Sequence, residues 1–138
     1  MVVLVSKCLL GENCRYDGNN NKNEKVIEFL KGKTVIAVCP EELGGLPTPR
    51  DPAEIKGGEV VLKSGGIVTD RFRIGAQKVL FIAKESHVDL CILKEKSPSC
   101  GSGEIYDGTF TRTLTKGDGI AAAALKKAGI KVVGESEV

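Results

Sequence analysis

No apolar run in this chain approaches the roughly 20 residues a membrane helix needs; the longest, such as Val2 to Val5 and Ile120 to Leu125, are far shorter. The amino terminus enters a strand-like segment without a basic region, a long apolar stretch or a small-residue cleavage site, so a cytoplasmic location is expected. Tryptophan is absent and histidine occurs once. A solitary His87, at the junction between a helix and a strand, reads as a solvated cap. It leaves little material for a Cys-His-Asn hydrolase or a histidine-rich metal site. Charge of one sign is missing too: 20 basic residues face 18 acidic ones, with no basic stripe, so nucleic acid is not indicated as a partner. Gly44-Gly45 and Gly65-Gly66 match neither dinucleotide nor P-loop fingerprints, which lowers ATP and NAD. No CxxC pair occurs, so the usual zinc spacing is absent.

What is present is ordinary globular composition, 41% hydrophobic and 28% charged over 138 residues, enough for one core without disulfides. One domain over residues 1–138 is expected. Short Val- and Ile-rich runs, Val2 to Val5, Thr34 to Val38, Val88 to Leu93 and Ile130 to Val133, read as buried strands. Helical signals alternate with them. Asn23 can cap a short helix carrying Val26, Ile27 and Leu30. A longer helix from about Asp70 places Phe72, Ala76, Val79, Leu80 and Ala83 on one face. An alanine-rich helix is expected after a cap at Asp118, ending at Gly129. The fold class expected is therefore α/β, a single-domain, mostly parallel Rossmann-like sheet with flanking helices. Two edge hairpins are added: Glu59 to Lys63 turning through Ser64-Gly65-Gly66 into Ile67-Val68, and Ile105-Tyr106 turning through Asp107-Gly108 into Thr109-Phe110. The stretch from Gly44 to Gly58, with Pro47, Pro49 and Pro52, is expected to be irregular.

Five cysteines in a cytosolic chain stay reduced, and an odd number is a poor start for a disulfide framework. Cys91, inside Leu90-Cys91-Ile92-Leu93, reads as a buried small hydrophobe. Cys14, in a polar loop, reads as a passenger ahead of an accessory thiol. Cys8, Cys39 and Cys100 differ, because each follows a predicted strand. In an open parallel sheet the carboxyl ends of the strands share one edge, where ligands bind, so these three thiols can meet. By spacing alone a metal site and separate loop thiols remain equally open. Three thiolates would leave one position vacant on a four-coordinate metal, and their softness favours zinc, copper(I) or iron-sulfur. Nearby, Glu41 is placed to move a proton or to be a solvated loop acid. Ser97 and Ser99 flank Pro98 as substrate-orienting hydroxyls or as turn formers. Arg15, Tyr16 and Asp17 offer a cation, an aromatic face and an acceptor for a planar polar ligand, or a surface turn.

The segments Ser6-Lys7-Cys8-Leu9-Leu10-Gly11 with Arg15-Tyr16-Asp17-Gly18, Cys39-Pro40-Glu41 and Ser97-Pro98-Ser99-Cys100-Gly101 together resemble a bacterial and archaeal family long catalogued as a domain of unknown function. Asp70-Arg71-Phe72 with Gly75-Ala76, and Tyr106-Asp107-Gly108-Thr109-Phe110, extend the likeness over nearly the whole chain. Characterised members include thiouracil desulfidases. The resemblance implies a 4Fe-4S cluster on Cys8, Cys39 and Cys100, with one iron not ligated by protein; an exposed cluster with an open iron is expected to be oxygen-labile, so an aerobic sample can lack it. It also implies Glu41 and Ser97 as catalytic groups, and a small thiolated substrate whose C=S becomes C=O. The competing functions are sulfur transfer to a nucleic acid or carrier, and a metal-binding or redox-sensing module without turnover.

Overall fold

Alternation of apolar side chains places Val3 and Val5 on one face of the first strand and Leu4 on the other, all three fully buried. Such a strand must be covered on both sides. In the computed structural model, which describes all 138 residues, this strand, β1 (Val2–Ser6), lies inside a four-stranded parallel sheet. Its neighbours are β2 (Thr34–Val38) on one side and β5 (Leu90–Leu93) on the other, and β8 (Val132–Gly134) closes the far edge beyond β5. The expected α/β architecture is the one observed.

Helices cover the two faces. On one, α1 (Glu24–Leu30) buries Val26 and Leu30 against Val3, Val5, Leu90 and Ile92. Its amino end is capped as expected, Asn23 Oδ1 accepting from the Val26 amide at 3.1 Å. On the other face, α3 (Thr69–Glu85) and α4 (Ile120–Lys127) pack Val79, Ala83, Ala122 and Leu125 against Leu4, Cys91 and Leu93. A short helix, α2 (Pro40–Leu43), follows β2 directly and lies against α3. The two backbones touch there: a Cβ on Gly75 would collide with the Pro40 carbonyl, and one on Gly44 with the Arg71 carbonyl. Cys91 is wholly buried in mid-strand, as expected, and burial pushes its thiol up to about 12.

Three expectations need correction. The proline-rich stretch is not wholly irregular, because β3 (Ala53–Lys56) pairs with β4 (Glu59–Leu62) through Gly57-Gly58. Both glycines have positive φ, which a tight hairpin turn requires and other residues resist. The expected turn at residues 64–66 survives as a single bridge, Val61 to Ile67. In the second hairpin β6 (Glu104–Tyr106) pairs with β7 (Leu114–Lys116), not with Thr109-Phe110. The reason is competition for hydrogen bonds: Glu54 Oε1 accepts the Gly108 and Phe110 amides at 2.9 and 3.1 Å, so the segment after Asp107 docks onto β3. Finally, Asp118 does not cap α4. Gly119 does, and Asp118 instead accepts from the Gly103 amide and from Lys126.

Candidate active site

From β1 the chain moves outward to β2, whereas from β5 it moves the opposite way to β8. The loops leaving β1 and β5 therefore diverge, and a crevice must open between them at the carboxyl edge of the sheet. A pocket of about 510 Å³ occupies this edge, lined by Cys8, Cys14, Cys39 and Cys100 and by Glu41, Ser97 and Ser99. Its volume lies within the range of small-molecule sites. Each thiol comes from the end of a strand: Cys8 sits in the 3₁₀ turn Lys7–Leu10 after β1, Cys39 follows Val38 of β2, and Cys100 closes the loop after β5. A bond from the Lys94 amide to Ser6 Oγ, 2.9 Å, joins the loops of β1 and β5 at the base.

Cys14, expected as a passenger, lines the pocket and packs with Cys8 and Cys39 in the core cluster on the α1 side. Proximity to Cys39 and Cys8, together with burial, pushes the Cys14 thiol well above its ordinary value. The same proximity favours the thiolates of its neighbours. Cys8 is lowered first by Cys14, against burial, with further help from Asn21, whose Nδ2 lies 3.4 Å from Cys8 Sγ. Cys39 is lowered first by Cys14, again against burial, then by the Glu42 amide and the charge of Arg50. Burial pushes Cys100 up to about 12, although Ser6 and Ser99 oppose it. Thiolates are the form in which cysteine ligates metal.

Glu41 stands between two partners. Arg50 Nε donates to Oε1 at 3.1 Å, and Ser99 Oγ donates to Oε2 at 2.9 Å. Ser99 Oγ also lies 3.0 Å from Ser97 Oγ and 3.5 Å from Cys100 Sγ. Ser97 Oγ accepts the amides of Ser99 and Cys100 at 3.1 and 3.0 Å, which shapes the loop that presents Cys100. A line of hydroxyls thus runs from Ser97 through Ser99 to the carboxylate.

Arg15 and Tyr16 line the pocket, but Asp17 does not. Arg15 grips Asp17 through two bonds, 2.7 and 2.6 Å, and donates to Asn20 O and Asn21 Oδ1. Its fork is committed to the loop that carries Asn21 to Cys8. Arg50 lines the pocket and bonds Glu41 although the sequence did not single it out, since a lone arginine in a proline-rich stretch carries no signal. Tyr106 at the end of β6, and Phe110 and Arg112 from the β6–β7 connection, also line the cavity. Phe110 and Arg112 both have positive φ, at 58° and 59°.

A model of the 2-thiouracil desulfurase family matches residues 3–137. The chain belongs to that family. An uncharacterized protein of Bacillus subtilis (strain 168), YbbK, is 46% identical, the match covering 99% of this chain and 97% of the Bacillus protein. A solved structure of a [4Fe-4S]-dependent thiouracil desulfidase, TudS, superimposes with a TM-score of 0.90 at 42% identity, covering 99% of this chain and 91% of that one. The desulfurase family fold is therefore shared over the whole domain. No helix of this chain is long and apolar enough to cross a membrane.

The donor set fits an iron-sulfur group better than a single ion. Zinc in a structural site draws its thiolates into a tetrahedron at about 2.3 Å. Here no three Cys, His, Asp or Glu side chains gather tightly enough for one ion. The thiols are distributed around the pocket, and soft sulfur donors set around a cavity suit a cluster that carries its ligands on its outer corners.

Proposed function

We propose that this protein removes sulfur from a thiolated pyrimidine or similar thiocarbonyl compound, with Cys8, Cys39 and Cys100 holding a 4Fe-4S cluster. The observation that carries the reading is the single pocket in which thiols from three strand ends face the Glu41–Ser99–Ser97 line. When bound, such a cluster with one iron free of protein ligands supplies a soft Lewis acid for a thiocarbonyl sulfur. The overall reaction balances without electrons: R₂C=S and water give R₂C=O and hydrogen sulfide.

The chain's own residues handle the proton and the geometry. Glu41, held on both oxygens, takes a proton from the attacking water and returns it as the C–S bond breaks. Ser99 and Ser97 orient water and stabilise the developing charge on the substrate carbon's substituent. Tyr16 offers an aromatic face beside the thiols, while Arg15 and Asp17 serve substrate binding by holding that loop in shape. A cavity of this size beside the thiols favours turnover of a small molecule over a sensor without a substrate.

Anaerobic reconstitution followed by iron and sulfide counting, and a scan of thiolated bases for sulfide release, tests the reading. Sulfide is expected in equal amount to the oxo product. Sulfur retained on a carrier, with no free sulfide, would support transfer instead. Cys100→Ala should lose the cluster's visible absorption and the activity together. Glu41→Gln should keep the absorption and lose turnover, and full desulfidation by that variant would refute the proton-handling role.

A further inference from the structure

Arg50 is 7% exposed at its side chain and lies beside the candidate site in the connection between α2 and β3. A buried guanidinium is costly unless its donors are met, and here bonds engage four of its five N–H groups. Nε donates to Glu41 Oε1 at 3.1 Å, Nη1 to Pro47 O at 3.2 Å and to Thr48 Oγ1 at 2.8 Å, and Nη2 to Cys14 O at 2.9 Å. Its main-chain amide adds a bond to Tyr16 O at 2.7 Å. One residue thus ties the loop after β1, at Cys14 and Tyr16, to the segment after β2, at Glu41, Pro47 and Thr48. The loop after β5 joins through Ser99 on the other oxygen of Glu41.

We propose that Arg50 is the positioning residue of this site, pinning the Glu41 carboxylate against Ser99 so that it meets the substrate in one orientation. The inference rests on the reading of Glu41 as the proton-handling group. A glutamate side chain has several rotamers, and fixing it before the reaction removes an entropy cost from the transition state. Both of its oxygens are claimed here from opposite sides, which leaves the carboxylate little freedom to swing. Lysine would not substitute, because its ammonium is a single point that cannot span a carboxylate, a hydroxyl and two carbonyls in a planar fork. A purely structural strut would behave differently on mutation, since its loss would lower stability and cluster content along with the rate.

The test compares Arg50→Gln and Arg50→Lys with the reconstituted wild type. The readouts are kcat, KM, iron and sulfide content, and a crystal structure of each variant. Arg50→Gln is expected to lower kcat about 10- to 100-fold, the order of effect of a small misplacement of a reacting group. KM and cluster content should stay unchanged, and Glu41 Oε2 should leave hydrogen-bond distance of Ser99 Oγ. Arg50→Lys, which keeps a cation but not the fork, should lose less kcat in the same pattern. If Arg50→Gln is not recovered folded, Arg50→Lys decides alone by the same readouts. Unchanged kcat, a rate loss matched by cluster loss, or Glu41 still bonded to Ser99 overturns the positioning role. Full activity of Glu41→Gln would instead overturn the reading of Glu41 itself, and is seen without touching Arg50.

Discussion

Among single residues, the pair Arg15–Asp17 shows how the candidate site's loop is held. Bonds from Arg15 keep the Asp17 carboxyl well below its ordinary value of 3.8, against a small opposing effect of burial. A carboxyl lowered on folding adds stability that is complete above its unfolded value and is lost as pH falls towards the folded one. Wild-type protein should therefore lose melting temperature below about pH 4. Asp17→Asn should start less stable near neutrality and show a shallower decline on acidification, which thermal melts between pH 3 and pH 7 would measure. Because the pair is one-third exposed, solvent screening keeps the difference small.

Between elements, two contacts decide where the pocket walls stand. The first is the touching of α2 and α3 at Gly44 and Gly75. Gly75→Ala has no room for its methyl group against the Pro40 carbonyl, so α2 must shift, and Glu41 rides on α2. A loss of about 1–3 kcal/mol in denaturant melts is expected from overpacking, together with a lower kcat. The second is the Glu54 carboxylate of β3, 9% exposed, which holds the amides of Gly108 and Phe110. Glu54→Ala leaves those donors without their acceptor, at about 1–3 kcal/mol. Its effect on catalysis should be in KM rather than in cluster content, because the freed segment carries Phe110 and Arg112 on the pocket wall.

At the level of the whole molecule, the central strands β1 and β5 are covered on both faces and their buried side chains join the two packed layers, while edge strand β2 leaves Val35 and Ala37 exposed. A core shared this way should unfold in one step, with coincident fluorescence-free probes such as far-ultraviolet circular dichroism and calorimetry. Leu4→Ala, at a fully buried position facing α3 and α4, should cost about 2–5 kcal/mol by leaving a cavity. The loss should lower the melting temperature of apo and reconstituted protein alike, since Leu4 lies in mid-strand and does not line the pocket.

Strand and helix order was legible in the sequence because it depends on short-range periodicity: alternation marked β1, and the spacing of Phe72, Ala76, Val79 and Ala83 marked α3. The motifs around Cys8, Cys39 and Cys100 were legible because glycine and proline restrict the backbone locally. Strand ends also placed those three thiols on one edge. Only the tertiary structure decided what lies among them. The position of Cys14 against Cys8 and Cys39, the capture of Glu41 between Arg50 and Ser99, and the docking of residues 108–110 on Glu54 all join segments far apart in the chain. Such contacts follow from the crossover order β2-β1-β5-β8, which sets loop against loop at the carboxyl edge. Hydrogen-bond competition, invisible in a local pattern, then chose the second hairpin's partner and gave a proline-loop arginine its place beside the carboxylate.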